Sequence, residues 1–276
     1  MKTILITGGT NGLGKGIAMK YLETGNRVIV VGNSPKNGEL FKEKARELGA
    51  EERAFYIQAN LSLVKENFRV VEEVVNKFKC IDIVIFSAAK HCKKHTKTEE
   101  GFEFTFSLVY LSRFILSYGL KECLEKSENP IIFNICGAGM KGKVNWDDLQ
   151  FENSFEAQKV MMHGSRLNDL LSVQFVKNDK VKKIKYIMYN PWAVQTPGML
   201  DFFDNPLMKL FYKLIGKPVE KAVIPIVELL DNPPECPLSA YKERKSISLN
   251  IESYNQENAK KLYDLTIPLL NEIKHK

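Results

Sequence analysis

The stretch Thr7-Gly8-Gly9-Thr10-Asn11-Gly12-Leu13-Gly14 decides the fold of this chain. It follows the apolar run Ile4-Leu5-Ile6 and precedes a helical pattern that opens at Lys15. A buried strand, a glycine-rich turn and a helix N-terminus in that order form an anion site, because glycines let the backbone approach a pyrophosphate and the helix end offers unpaired amides. The pattern predicts a dinucleotide site, with a plain strand-to-helix turn as the alternative.

Apolar strands alternate with helical segments along the rest of the chain, which is typical of a doubly wound parallel sheet. We predict strands at 2–7, 27–31, 53–59, 81–86, 130–136 and 184–189, and helices near 12–25, 36–49, 63–79, 99–126, 153–178 and 220–232. The short strands are almost wholly apolar, as expected when helices cover both faces. The predicted fold class is therefore α/β, a Rossmann-type doubly wound parallel β-sheet of roughly seven strands flanked by helices.

Length and composition favour one domain. The chain has 276 residues and 44% hydrophobic content, enough for a full core. We predict a single Rossmann domain over residues 1–276, with 190–250 as the lid region on the substrate side. No apolar run approaches the roughly 18 residues of a transmembrane helix, and Met1-Lys2 leads straight into a strand without a signal-peptide layout, so a cytoplasmic protein is expected.

Cysteines and charges exclude several other classes. The five cysteines are odd in number and scattered, which indicates reduced thiols rather than a disulfide framework. The net charge of +7 comes from lysines spread along the chain, so no nucleic-acid partner is predicted. His91, Cys92 and His95 stand among lysines that would repel a cation, and no metal site is predicted.

The end of the second strand reads Val31-Gly32-Asn33-Ser34-Pro35-Lys36. An acidic residue there would accept the ribose hydroxyls of NAD and repel a 2′-phosphate, and none is present. Asn33, Ser34 and Lys36 are suited to a phosphate, which favours NADP(H) over NAD(H). Ordinary turn residues are the alternative. Asn60 and Leu61, after the third strand, are expected beside the adenine.

The glycine stretch has TGxxxGxG spacing, and with Asn60-Leu61-Ser62, Gly101-Phe102-Glu103 and Asn190-Pro191 the chain resembles the short-chain dehydrogenase/reductase family. It is most similar to the retinol-dehydrogenase-like and WW-domain-oxidoreductase-like branch, through Glu100–Glu103, Trp146–Leu149 and Ser165–Asn168. The resemblance and the motifs together predict the cofactor-binding residues Gly8, Thr10, Asn11, Gly12, Leu13, Gly14, Asn33, Ser34, Lys36, Asn60, Leu61, Ser87, Ala88, Arg166 and Pro191.

The resemblance implies four catalytic positions, and all four are substituted. Relatives use a Tyr as general acid, a Lys four residues later, a Ser and an Asn, and these fall on Met162, Arg166, Cys136 and Val109 respectively. Met162 has no proton to give, so the usual reduction mechanism is expected to be absent. Arg166 keeps a positive charge suited to the nicotinamide ribose, although its planar fork is not interchangeable with an ammonium group.

Three other residues are candidate proton donors. Tyr189, just before Asn190-Pro191, is predicted as a substitute donor, with packing as the alternative. His163 and Tyr110 adjoin substituted positions, but helical neighbours point about 100° apart, so packing roles are expected for both. Two functions remain open: a non-catalytic NAD(P)(H)-dependent sensor or scaffold, and an atypical NADP-dependent oxidoreductase for a small apolar carbonyl or alcohol compound.

Two surfaces have alternative interpretations. Relatives pair through the long helices after the fourth and fifth strands, so Phe104, Phe106, Leu108 and Phe114 are expected to form either a homodimer interface or core. The segment Met199–Tyr212 has an apolar face broken by lysines. It is interpreted as a helix covering the core, a lid over an apolar ligand or a membrane-surface helix.

Overall fold

One eight-stranded sheet organises the structure, a computed structural model that describes residues 1–202 and 204–274. The strand order is β3-β2-β1-β4-β5-β6-β7-β8, and every neighbouring pair is parallel except β7 and β8. The strands are β1 (Thr3–Thr7), β2 (Arg27–Gly32), β3 (Ala54–Gln58), β4 (Ile83–Phe86), β5 (Ile131–Ile135), β6 (Lys185–Asn190), β7 (Leu238–Lys242) and β8 (Lys245–Ser246). The predicted fold class is confirmed.

Eleven α-helical segments are described, and none is long and apolar enough to cross a membrane within the described ranges. They are α1 (Gly12–Glu23), α2 (Pro35–Glu47), α3 (Val64–Lys77), α4 (Phe104–Phe106), α5 (Ser112–Gly119), α6 (Lys121–Glu125), α7 (Ala157–Asn178), α8 (Pro197–Phe202), α9 (Pro206–Ile215), α10 (Val219–Asp231) and α11 (Gln256–Lys274). A π-helical turn, Ser107–Leu111, joins α4 to α5, and 3₁₀ turns occupy Glu51–Arg53 and Glu252–Tyr254.

The sheet separates two apolar layers, because successive strand side chains point to opposite faces. Ile4 and Ile6 of β1 pack with Ile17 of α1 and Ile226 of α10, whereas Leu5 belongs to the layer that holds α3, α5, α7 and α11. Helices thus cover both faces, which explains why the strands lack a polar side. The carboxyl ends of β1 to β6 all meet at one edge of the sheet.

Several element boundaries differ from the predictions. The helix predicted near 99–126 begins only at Phe104, because Gly101 takes a φ of 86° and the carboxylate of Glu103 caps the Phe106 amide at 2.6 Å. The helix predicted near 153–178 begins at Ala157. Strands β7 and β8 were not predicted, because β7 has only two fully buried residues and follows a proline-rich loop.

Helix α11 packs mainly on α7 and also contacts aromatic side chains of the π-helical turn and of α5. The Tyr110 hydroxyl lies 2.6 Å from Thr266 Oγ1, and the rings of Phe114 and Tyr263 are 5.6 Å apart. Phe106 and Leu108 are also buried in this layer. The face expected to form either a homodimer interface or core is therefore core beneath the chain's own last described helix.

Candidate cofactor site

A cavity of about 510 Å³ opens at the carboxyl ends of the strands. Open α/β sheets bind ligands at this edge, and the volume lies within the range of small-molecule sites. Eleven of the fifteen predicted cofactor-binding residues line it: Gly8, Thr10, Asn11, Gly12, Leu13, Asn33, Asn60, Leu61, Ser87, Ala88 and Pro191. Gly14, Ser34, Lys36 and Arg166 do not.

The glycine turn is built by close backbone approaches. Gly8 has a φ of +68°, and a Cβ on Gly14 would lie 2.5 Å from the Gly8 carbonyl oxygen, so neither position accepts a side chain without movement. The side chain of Asn11 caps α1 by accepting a hydrogen bond from the Gly12 amide at 2.8 Å. The turn therefore brings the positive N-terminal end of α1 to the cavity, where an anionic group is favoured.

The charge of the cavity suits an anion. In the part of the chain that the structure describes, no carboxylate lines the cavity, whereas Lys90 does. Asn33 is the member of the predicted phosphate-binding trio that reaches it. Ser34 instead caps α2 by accepting from the Asn37 amide at 3.3 Å, and Lys36 lies in the first turn of that helix.

His91 is a cavity residue that the sequence prediction missed. Burial, reinforced by the nearby charge of Arg113, lowers the pKa of His91 to about 4, so the imidazole is neutral at pH 7. Its Nδ1 atom is buried and finds no hydrogen-bond partner among the described residues. The available signal was position, since residue 91 follows closely on Ser87 at the carboxyl end of β4.

The loop that carries His91 contacts α8 across the cavity mouth. The rings of His91 and Phe202 are 5.8 Å apart, and Lys93 forms an ion pair with Asp204. Phe203, which belongs to the predicted lid segment, lies outside the described residues. Met199 lines the cavity from the same segment.

Trp192 also lines the cavity, and its backbone is strained. It has a φ of 61°, a region that bulky side chains rarely adopt. The Lys242 ammonium lies 3.5 Å from the centre of its ring. The sequence motif Asn190-Pro191 indicated this turn but not the unusual conformation of the residue that follows it.

Arg113 is another residue that the sequence did not reveal. Its hydrogen bonds connect the ends of two strands beside the cavity. Its buried guanidinium donates to the Asn134 side chain, to the Ile135 carbonyl at 3.1 Å and to the Ala88 carbonyl at 3.2 Å. These acceptors stand at the carboxyl ends of β4 and β5. Burial lowers the pKa of Arg113, but a guanidinium remains charged at neutral pH.

The positions matched to the family's four catalytic residues do not line the cavity. Cys136 is an inert thiol here, because burial raises its pKa to about 12. Val109 is buried in the π-helical turn, and Met162 lies beside Gly142. Tyr189, the predicted substitute donor, packs its ring 5.2 Å from that of Phe133, and burial raises its pKa to about 12.

The Arg166 side chain is held by partners that do not line this cavity. Its Nη1 lies 2.7 Å from Asp169 Oδ2 and donates to Ser253 Oγ, while Nη2 donates to the Gly137 carbonyl at 2.7 Å. Burial raises the pKa of Asp169 to about 7 against the opposing effect of Arg166. Arg166 lines a separate cavity of about 190 Å³ with Trp146 and Ser253.

The sequence profile described as short chain dehydrogenase matches residues 2–147, more than half of the chain. The chain belongs to the short-chain dehydrogenase family. The matched region contains the glycine turn and the ends of β1 to β5, whereas the end of β6 and α7, with Met162 and Arg166, lie beyond it.

Curated relatives within this short-chain dehydrogenase family are distant. Mouse retinol dehydrogenase 11 is 22% identical over 98% of this chain and 86% of its own length. Bovine dehydrogenase/reductase SDR family member 12 is 26% identical over 72% of this chain, and the match spans 62% of that relative's length.

Solved structures of the family share the fold. A Shigella flexneri chain described as a short chain dehydrogenase complexed with NADP superposes with a TM-score of 0.67 at 14% identity, covering 88% of this chain and 97% of that one. A Salmonella enterica serovar Typhi short chain dehydrogenase gives the same TM-score at 13% identity, covering 88% and 96%.

Proposed function

We propose that this chain binds NADP(H) in the 510 Å³ cavity and acts as a cofactor-dependent sensor or scaffold rather than as an ordinary carbonyl reductase. One observation carries the proposal. The cavity keeps the glycine turn and helix end for a pyrophosphate, while Met162 and Arg166, at the positions of the usual proton donor and its lysine partner, lie outside its lining.

The chemistry of the lining supports NADP(H) over NAD(H). A dinucleotide with a 2′-phosphate carries more negative charge, and among the described residues the cavity presents Lys90 and the α1 N-terminus but no carboxylate. Asn33, at the end of β2, offers an amide to the ribose phosphate. The nicotinamide would supply or accept hydride when bound, and the residues described here would hold and orient it.

The Met162 side chain has no ionisable proton, which supports the proposal that the protein is not catalytic. Reduction of a carbonyl needs a proton donor beside the hydride acceptor. Met162 has a thioether, and Arg166 is committed to Asp169, Ser253 and the Gly137 carbonyl. Restoring the family residues by Met162→Tyr with Arg166→Lys is therefore not expected to restore turnover, because both positions lie outside the cavity.

The test is a titration of the purified protein with NADPH and NADH, followed by nicotinamide fluorescence and calorimetry. We expect saturable binding that is tighter for NADPH, and no NADPH oxidation with a panel of apolar aldehydes and ketones. Absence of binding to either dinucleotide would contradict the cofactor assignment. Oxidation above the rate without protein would contradict the non-catalytic assignment.

The second candidate is an atypical NADP-dependent oxidoreductase for an apolar carbonyl or alcohol compound. His91 favours it, because its neutral imidazole lines the cavity with one nitrogen unpartnered among the described residues. Neutral imidazole carries one N–H that would hydrogen-bond to a substrate carbonyl oxygen and stabilise the developing alkoxide, which would then take its proton from water. The relatives named as dehydrogenases and reductases agree with this candidate.

His91→Asn separates the two candidates. In an active protein that uses His91, this change is expected to reduce NADPH oxidation about 100-fold while the Kd for NADPH changes little. His95→Gln is the matched control, since His95 belongs to the same loop but bonds to the Gln150 carbonyl and does not line the cavity. Equal rates for His91→Asn and wild type would remove His91 as the donor.

A further inference from the structure

Helix α9 (Pro206–Ile215) turns its apolar face away from the protein. The helix lies entirely within the described residues, and none of its side chains is buried. Leu207 is 73% and Leu214 76% exposed, and four more apolar side chains are at least 44% exposed: Met208, Leu210, Phe211 and Ile215. The expectation of a helix that covers the core is therefore wrong for α9.

The arrangement is the reverse of an ordinary surface helix. At about 100° per residue, the six apolar side chains occupy one arc of roughly 160°, and Lys209 and Lys213 lie on the other side. A helix of a globular protein normally directs such an apolar arc at the core. Here the polar side faces the protein instead.

Hydrogen bonds fix this orientation. The Tyr212 hydroxyl accepts from the Val194 amide and donates to the Val194 carbonyl, both at 3.1 Å. The side-chain amide of Gln195 donates to the Lys213 carbonyl at 2.6 Å and to the Gly216 carbonyl at 2.8 Å. These bonds hold the polar side of α9 against residues 194 and 195, so the helix cannot roll to bury its leucines without breaking them.

We propose that α9 docks on the surface of an anionic lipid bilayer. Lys209 and Lys213 are its charged residues, and it contains no acidic side chain to repel lipid phosphates. Lys213 is exposed and lies about 60° beyond the edge of the apolar arc, whereas Lys209 is only partly exposed. An amphipathic helix of this kind lies in the interface plane, its apolar side chains among the acyl chains and the flanking lysine at the headgroups. Tyr212 lines the dinucleotide cavity, so docking brings that cavity to the bilayer surface.

The composition of the exposed face suits a bilayer better than a protein partner. Its six apolar side chains, exposed by 44–76%, form one uninterrupted arc with no hydrogen-bonding side chain among them. A protein interface carries about one hydrogen bond per 100–200 Å². A bilayer needs no complementary shape and accommodates a single short helix. The proposal concerns a surface outside the cavity and does not depend on the proposed function.

The experiment is co-sedimentation of the full chain with phosphatidylcholine vesicles, with and without phosphatidylserine. Wild type is expected to bind the phosphatidylserine vesicles several-fold more tightly. Leu207→Gln with Leu214→Gln should weaken that binding more than tenfold, because two leucines no longer enter the bilayer. Lys213→Gln should weaken it about fivefold on phosphatidylserine vesicles alone. Val181→Gln, at a 70% exposed apolar residue in another loop, is the matched control.

Three outcomes would overturn the proposal. Wild type that stays in the supernatant has no affinity for the bilayer, and equal binding to both vesicle types removes the anionic requirement. Sedimentation equilibrium without vesicles tests for a second copy as the occupant. Self-association that is abolished by the two leucine substitutions would assign the face to a homodimer instead.

Discussion

Arg166→Lys tests whether residue 166 acts on the cofactor or on the fold. The buried guanidinium satisfies Asp169, Ser253 and the Gly137 carbonyl together. An ammonium group cannot reach three acceptors spread around a planar fork, and we expect it to keep the ion pair and lose two hydrogen bonds. Bonds to a charged group contribute about 1.5–3 kcal/mol each, so the loss of two is roughly 3–6 kcal/mol.

For a chain of this length, 1 kcal/mol changes the Tm by about 2 °C, so Arg166→Lys should lower it by about 6–12 °C. Thermal unfolding followed by circular dichroism measures this. Arg244→Lys, at an exposed pair with Glu228, is the control and should stay within about 1 °C of wild type. The Kd for NADPH should change less than about threefold, because Arg166 does not line the cavity. An unchanged Tm with binding weakened tenfold or more would refute this reasoning and assign Arg166 to the nicotinamide ribose.

Three further changes probe other features. Gly14→Ala places a Cβ 2.5 Å from the Gly8 carbonyl oxygen and should weaken NADPH binding at least about tenfold; an affinity equal to that of wild type would show that the turn tolerates a side chain. The folded pKa of Asp169, about 7, exceeds its unfolded value of about 3.9, so the folded carboxyl binds a proton more tightly and stability falls as pH rises from 4 to 7. In urea unfolding, the free energy of unfolding of wild type should fall by up to about 1.4 kcal/mol per pH unit within that window, and Asp169→Asn should lack this decrease. Parallel pH profiles for the two proteins would contradict the raised pKa. Trp192→Gly relieves about 1–3 kcal/mol of backbone strain at a φ of 61°. It adds about 0.5–1 kcal/mol of chain entropy and loses the Lys242 contact, worth about 0.5–2 kcal/mol, so the Tm should stay within about 4 °C of wild type. A larger decrease would mean that the indole contributes more than the strain costs.

The fold was predictable because its strands are buried on both faces. Runs such as Ile4-Leu5-Ile6 leave no polar side, and the turn that follows β1 allows few conformations besides the one observed. The same local constraint explains why Gly8 and the residues from Thr10 to Leu13 line the cavity. β7 escaped prediction because a strand with two buried residues has little periodicity to detect.

The direction of side chains on α7 was not predictable from spacing. Arg166 forms an ion pair with Asp169, one helical turn away, and donates a hydrogen bond to Ser253, 87 residues further along the chain. The Ser253 hydroxyl lies beside Arg166 because the turn at Glu252–Tyr254 folds against α7, and spacing along the sequence does not reveal that position. Ser34 was similarly committed to capping α2, a local use that competes with ligand binding.

His91 and α9 had partial signals in the sequence. The position of His91 after β4 indicated the strand edge, but its burial depends on the approach of Phe202 from α8. The apolar periodicity of α9 was visible, yet periodicity specifies a face and not the direction in which that face points. Hydrogen bonds from residues 194 and 195 determine that direction.

The contacts of α11 with the π-helical turn and with α5 form late during synthesis of the chain. The contact between Tyr110 and Thr266 joins residues 156 positions apart. A ribosome adds about 5–20 residues per second. Thr266 is therefore synthesised roughly 8–30 seconds after Tyr110. During that interval the nascent chain exposes Tyr110 and Phe114, and a chaperone that shields aromatic surface would act most usefully there. The yield of folded protein should therefore depend on how quickly translation reaches the last described helix.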